Sequence, residues 1–311
     1  MITRSKNQSD DDNAPAAHAP KPPWLRVRVG GGAQFQATAD RLRAYHLNTV
    51  CEAAHCPNLG HCWSCGRATV MILGDRCTRG CRFCNVDKLA VLPPDANEPD
   101  AVAQAVAESG LREVVLTSVT RDDLPDGGAA HWAATVNAVR RRSPAIMIEV
   151  LVPDFCGDRQ HLAHVLAAKP DVFGHNLETV PRLYPVARPQ ADFNRSLAVL
   201  QQAREAGFVT KTSLMLGLGE TEEEVADVLR QARAVGVAIL YLGQYLQPSP
   251  RHLSIAAYIT PEQFDAYGVL ARNLGFGFVA SAPLIRSSYH EEGQRLFVEA
   301  FRRGDETAGA P

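Results

Sequence analysis

Three thiols dominate the chemistry this sequence could perform. Cys77, Cys81 and Cys84 stand in the stretch Cys77-Thr-Arg-Gly-Cys81-Arg-Phe-Cys84, three and two residues apart, so one loop suffices to wrap them round a metal centre. Three thiolates hold three corners of an iron–sulfur cube and leave the fourth iron open for a ligand, and Gly80 gives the backbone freedom to turn between them. Arg79 and Arg82 add positive charge, which favours thiolates and attracts a carboxylate-bearing ligand. The rival reading is structural zinc, but that metal prefers a closed set of four ligands, commonly two CxxC pairs, and catalytic zinc typically uses histidine.

A second trio, Cys51, Cys56 and Cys62, lies just upstream with four and five residues between its members. Two trios imply two clusters. Within this region Cys62-Trp-Ser-Cys65 is also a CxxC pair and so a candidate redox dithiol or half zinc site. A thioredoxin-type pair opens a helix after a strand, whereas this one precedes a strand.

The elements that must carry these loops are legible as a repeat. From Ala68 onward a short β-branched run, a polar loop and an amphipathic helix closed by glycine recur, which is the pattern of β/α units on a parallel sheet. Strands are expected at Ala68–Leu73, Glu113–Ser118, Ala145–Val150, Asp171–His175, Val209–Leu214 and Ala238–Gly243, with Gly277–Ser281 as a further candidate. Thr221 with Glu224 forms a capping box for one helix, closed by Gly236; Thr260, Pro261 and Gln263 open another, closed by Gly275. A doubly wound sheet would give the same alternation. The placing of the polar residues favours an open, partial (β/α)6 barrel: the Cys77 loop, Arg121–Gly128, Glu178 and Gln244 all fall at or after strand ends, where βα loops form the mouth.

The remaining chain divides into residues 1–23, polar and proline-containing and expected to be a disordered tail; 24–67, an N-terminal extension with a helix over Phe35–Leu47 and the second cysteine trio; 68–282, the partial barrel; and 283–311, a C-terminal segment. Of the 311 residues 46% are hydrophobic and 21% charged, the formal charge is −2, and all but one of the eight cysteines fall between Cys51 and Cys84. These values exclude a basic nucleic-acid track and point away from a disulfide framework. No apolar run is long enough for a membrane span and the early residues lack a secretion signal, so a cytoplasmic protein is expected.

The CxxxCxxC motif, with Phe83 before its last cysteine, resembles the radical S-adenosylmethionine (SAM) superfamily. In that superfamily the open iron chelates the amino and carboxylate groups of SAM, and electron transfer cleaves it to a 5′-deoxyadenosyl radical. From Lys21 to about Glu291 the sequence resembles the lipoyl synthase family more specifically. The resemblance rests on Thr49-Val-Cys-Glu-Ala, Cys56-Pro-Asn, Gly74 to Cys84, Val115-Leu-Thr-Ser118, Arg121 to Gly128, Glu178-Thr-Val-Pro-Arg-Leu-Tyr-Pro185, Gly217-Leu-Gly-Glu-Thr221, Gly243 to Pro250 and Arg286-Ser-Ser-Tyr-His290.

The resemblance implies two [4Fe-4S] clusters, one on Cys77, Cys81 and Cys84 with SAM, and an auxiliary one on Cys51, Cys56 and Cys62 with Ser288, or less favourably Ser287, as fourth ligand. It implies sulfur insertion at C6 and C8 of an octanoyl chain, the auxiliary cluster supplying the sulfur. Its implied partners are octanoylated lipoyl carrier proteins (2-oxoacid dehydrogenase E2 lipoyl domains and the glycine cleavage H protein), a low-potential donor such as flavodoxin or ferredoxin, and an iron–sulfur carrier for cluster rebuilding. Phe83, Ser118, Glu178, Lys211 and Arg286 are the candidate SAM and substrate contacts. Gly174, Tyr241 and Ala282 depart from the family pattern, and Cys65 and Cys156 are extra thiols. The competing readings are another two-cluster radical enzyme, of biotin-synthase or methylthiolating type, and a non-catalytic iron–sulfur carrier or sensor, which would want four thiolates per cluster.

Overall fold

The computed structural model describes residues 20–27 and 30–304. Residues 1–19 of the tail expected over 1–23 and the last residues of the C-terminal segment lie outside this range, and Pro23 already opens a short 3-10 turn, Pro23–Leu25.

Seven parallel strands form the scaffold: β2 (Thr69–Ile72), β3 (Glu113–Ser118), β4 (Met147–Leu151), β5 (Val172–Gly174), β6 (Val209–Leu216), β7 (Ile239–Gln244) and β8 (Phe278–Ser281). A two-residue strand β1 (Asn48–Thr49) precedes them and pairs antiparallel with β2. The strand order follows the sequence from β1 to β8, and each strand from β2 onward pairs with the next in parallel. Among the described residues no strand pair joins β8 back to β2, so the barrel stays open on that side. The expected six units are therefore joined by a seventh, because Phe278–Ser281 pairs with β7 along its whole length.

Strand cores are buried on both faces, as an enclosed parallel sheet requires; β2, β5 and β7 are buried at every position. Helices follow the strands. The helix Glu222–Ala234 starts with the expected capping box, Thr221 Oγ1 accepting from the Glu224 amide and the Glu224 carboxylate accepting from the Thr221 amide. Thr260 Oγ1 caps Pro261–Asn273 by accepting from the Gln263 amide. In the N-terminal extension the helix spans Ala33–Ala44, shorter at its end than expected because His46 takes a positive φ of 52°.

The C-terminal helix Glu292–Arg303 covers one end of the barrel. Its Val298 is fully buried with Met147, Val172, Val209 and Ile239, the first residues of β4 to β7. This helix is the barrel floor, and the loops after the strands form the mouth.

Candidate functional site

The loop carrying Cys77, Cys81 and Cys84 leaves β2 through Leu73 and Gly74, both at positive φ. For leucine this conformation is strained, and both sides of the peptide are held. The Leu73 amide donates to Glu98 Oε2 at 2.7 Å, and its carbonyl accepts from Arg121 at 3.2 Å. Glu98 is itself braced by His131 at 2.6 Å, and Arg121 by Asp123 at 2.8 Å. The loop therefore enters the mouth in one direction.

Beyond that point it is stitched to four neighbouring loops. The Thr120 amide, after β3, donates to Cys77 Sγ at 3.3 Å, and the Arg79 amide does so at 3.4 Å. Gln190, after β5, accepts from the Gly80 amide at 2.6 Å, and the Ala187 carbonyl takes the Arg82 amide at 2.8 Å. From the loop after β7, His252 lies 3.2 Å from the Cys84 carbonyl. After β3 and β4 stand Asp122 and Asp154, which bind Arg79 at 2.7 and 2.6 Å.

That last pair corrects the expected role of Arg79. Its guanidinium is buried and shared between two carboxylates, so its charge holds loops together rather than waiting for a ligand. Burial would raise the Asp154 carboxyl, but the bonds and charge of Arg79 win and hold it down at about 2. The nearby aspartates are all structural: Asp123 braces Arg121, and Asp126 accepts from the Gly128 and Ala130 amides at the start of the helix Ala129–Arg142. Cys156 sits on this network, 3.3 Å from Asp122, and is not a member of either trio.

The thiols are free and crowded. Burial pushes Cys84 up to about 12, with the charges of Cys81, Cys77 and Glu178 adding to the rise. Burial likewise raises Cys81, against the pull of Arg188. Such thiols stay protonated on their own, and a bound metal cation inverts that balance by taking up the thiolate charge. Among the described residues no three His, Cys, Asp or Glu side chains converge as they would on a single ion. A four-iron cube asks for something else, one thiolate on each separate iron.

Glu178 and Ser118 join this trio at the mouth. Glu178, at φ 68°, bridges β6 through its backbone, and desolvation raises its carboxyl while Arg188 pulls it down. The Ser118 hydroxyl, at the end of β3, is buried without a protein partner. Phe83 is half-buried in the loop itself. Arg188, not singled out from the sequence, is a second buried cation at the site. It touches the Asn176 carbonyl at 3.0 Å and the Tyr184 ring at 5.2 Å, its charge acts on Cys81 and Glu178, and its Nε has no partner. A buried guanidinium with a spare donor near Cys81 would suit a carboxylate ligand.

Lys211 lies elsewhere. It is fully buried on β6 with Nζ at 2.8 and 3.1 Å from the two oxygens of Glu149 on β4 and 3.9 Å from the Tyr241 ring centre. Gln294 of the floor helix binds the same carboxylate at 2.7 Å. The structure thus commits this lysine to the floor rather than to the group around Glu178.

The second trio spans the helical turn Val50–Ala53 and the helix Leu59–Ser64. Burial raises Cys51, and burial with the charges of Cys51, Cys56 and Cys65 pushes Cys62 up to about 12. The C-terminal segment meets this loop. Asn58 donates to the Leu284 carbonyl at 2.7 Å, and the rings of His61 and Tyr289 stack at 6.3 Å. The Tyr289 amide donates to the Arg286 carbonyl at 2.9 Å, which makes Ser287 and Ser288 the two central residues of a turn. Both are half-buried. Arg286 is close enough for its charge to be felt by Cys56, its Nη1 donates to the Ile285 carbonyl at 2.6 Å, and its Nη2 is buried without a partner. Both sites therefore fit the groups expected of them: free thiols, a hydroxyl-bearing turn, and orphaned buried donors.

A model of the Radical SAM superfamily matches residues 71–232. The lipoyl synthase of Methylococcus capsulatus is 52% identical over 287 residues, covering 91% of this chain and 89% of that protein. Those of Chlorobium chlorochromatii, at 48% over 88% and 94%, and Thermus thermophilus, at 50% over 91% and 88%, match to the same extent. Among solved structures, coproporphyrinogen III oxidase (HemN) from Escherichia coli superposes with a TM-score of 0.51 at 18% identity, over 74% of this chain and 57% of that one. SuiB from Streptococcus suis gives 0.54 at 10%, over 82% and 56%, and both likenesses are of fold. No helix of the described residues is long and apolar enough to cross a membrane. With about half its residues shared with these synthases over nearly its whole length, the chain belongs to the lipoyl synthase family of radical SAM enzymes.

Proposed function

We propose that this radical SAM lipoyl synthase works with two centres. Cys77, Cys81 and Cys84 would hold the [4Fe-4S] cluster that binds SAM, and Cys51, Cys56, Cys62 and Ser288 an auxiliary [4Fe-4S] cluster that donates both sulfurs. The cofactors supply the radical chemistry and the sulfur; C6 and C8 of an octanoyl chain are unactivated positions that no side-chain acid or nucleophile attacks. The chain's own residues bind and orient. Arg188 and Glu178 are suited to the charged methionine end of SAM, Ser118 and Phe83 to its remainder, and Arg286 to the space beside Cys56.

The observation that carries the reading is the docking of the 284–290 segment on the Cys56–Cys62 loop through Asn58 and the His61–Tyr289 stack. It sets a two-serine turn beside the cysteine trio, whose neighbouring fourth thiol, Cys65, is exposed. A serine oxygen is a harder donor than thiolate, so this corner is the weakly held one, as a sacrificial cluster needs. The substrates would be octanoylated lysines of E2 lipoyl domains and of the glycine cleavage H protein. Flavodoxin or ferredoxin would be the reductant, an iron–sulfur carrier the source of a new cluster, and the cytoplasm the compartment.

Replacing Cys51, Cys56 and Cys62 together by alanine tests the division of labour. The triple variant should lose about half of roughly eight irons per chain. It should still cleave SAM reductively yet add no sulfur to an octanoyl-lysine peptide, read by mass spectrometry. Sulfur insertion by that variant would overturn the reading.

A further inference from the structure

The buried pair Lys211–Glu149 has no place at the mouth, and its position offers another use. Between the top of β7 and the barrel floor runs a single short segment, Pro283–Glu291, with the two serines at its middle. Its upstream end is fixed on β7. The Gln244 amide donates to the Pro283 carbonyl at 3.1 Å, and the Ile285 carbonyl lies so close to Gly243 that a Cβ there would stand 2.0 Å from the oxygen.

The downstream end is fixed on the floor by buried polar contacts. His290 Nδ1 lies 2.8 Å from Glu113 Oε1, on the first residue of β3. Four residues on, Gln294 Nε2 donates at 2.7 Å to Glu149 Oε2, the oxygen that also receives Lys211 Nζ at 3.1 Å. Farther along the helix Arg302 pairs with Asp171. Apolar packing of Val298 would seat the helix at several rotations and small slides, because apolar contact is not directional. A carboxylate fixed by a lysine accepts the Gln294 amide in one place only, and a buried amide shifted away from it would lose its bond.

We propose that Glu149, held by Lys211, and Gln294 are positioning residues for the serine corner of the auxiliary centre: they set the register of the floor helix and, through His290 and Glu113, the place of the Ser287–Ser288 turn beside Cys56. This rests on the two-centre reading above. The segment is clamped at both ends, so the serine oxygen would be delivered by the fold rather than recruited by the metal. Groups that orient metal ligands typically change metal affinity by roughly 10- to 100-fold when removed.

The test uses the full chain reconstituted with iron and sulfide under anaerobic conditions, with bipyridyl as the iron probe. Gln294→Leu removes the link and leaves the Lys211–Glu149 pair in place. It is expected to release the auxiliary half of the iron roughly tenfold faster than the parent, with the other half and reductive SAM cleavage unchanged. Glu149→Gln combined with Lys211→Met removes the lysine-fixed carboxylate without leaving a buried charge unpaired, and should release the auxiliary half faster as well. Parent-like iron release from Gln294→Leu overturns the proposal, and so does equal acceleration of both halves, which would mean general loosening. A parent chain with only one cluster's iron would instead overturn the two-centre reading and this inference with it.

Discussion

The chemistry of the mouth is decided by single charges in a dry setting. Arg188 is the one buried guanidinium near Cys81 whose contacts are carbonyls and a ring rather than a carboxylate. Arg188→Met should therefore weaken SAM binding by roughly ten- to hundredfold, the range for a charge-assisted hydrogen bond, in a titration of the reconstituted protein; unchanged affinity would remove Arg188 from the site. His175, next to Asn176 and facing the Val152 carbonyl at 2.8 Å, is fully enclosed. Burial and then the charge of Arg188 lower it to about 4, with Asp154 opposing. The unfolded chain binds this proton from about pH 6.5 downward and the folded one only below about 4, so stability should fall across that window by on the order of 3 kcal/mol. His175→Gln should flatten this slope in chemical unfolding followed from neutral to mildly acidic pH. The two cysteine trios could be singled out because spacing along one loop is a sequence property. Arg188 could not, and Lys211 was expected at the wrong end of the barrel, since a long cation is assigned by what it meets in space. Lys211 meets Glu149 from a strand two places along the sheet.

At the level of elements, β-strand positions were readable to within one or two residues because β-branched runs, polar loops and capped helices alternate with few exceptions. What could not be read was the path of 283–290. Its backbone groups bond to the ends of β7, to Asn58 and to its own turn, and none of these contacts leaves a periodic trace. The feature that betrays it is the absence of a side chain at Gly243, whose Cα must lie against the Ile285 carbonyl. Gly243→Ala should displace the segment and with it the serine turn, lowering the iron of the reconstituted protein by up to about half while the SAM-binding cluster remains. Full iron with parent-like stability would show that the segment tolerates a shift and that the turn is not held as described.

Among the described residues the sheet is left open between β8 and the short edge strand β1, and the N-terminal extension meets the C-terminal segment through Asn58 and the His61–Tyr289 stack. These contacts bring a cysteine loop and a serine turn together on a scaffold whose mouth carries the other trio. In the function proposed above, the auxiliary centre is consumed as the sulfur source. The most direct measurement is a single turnover with the auxiliary centre built from heavy-isotope sulfide, SAM, a reductant and an octanoyl-lysine peptide, with no other sulfur donor present. A peptide carrying two heavy sulfurs and a matching loss of iron from the protein are expected. Light sulfur in the peptide, or inserted sulfur with the iron fully retained, would contradict that function.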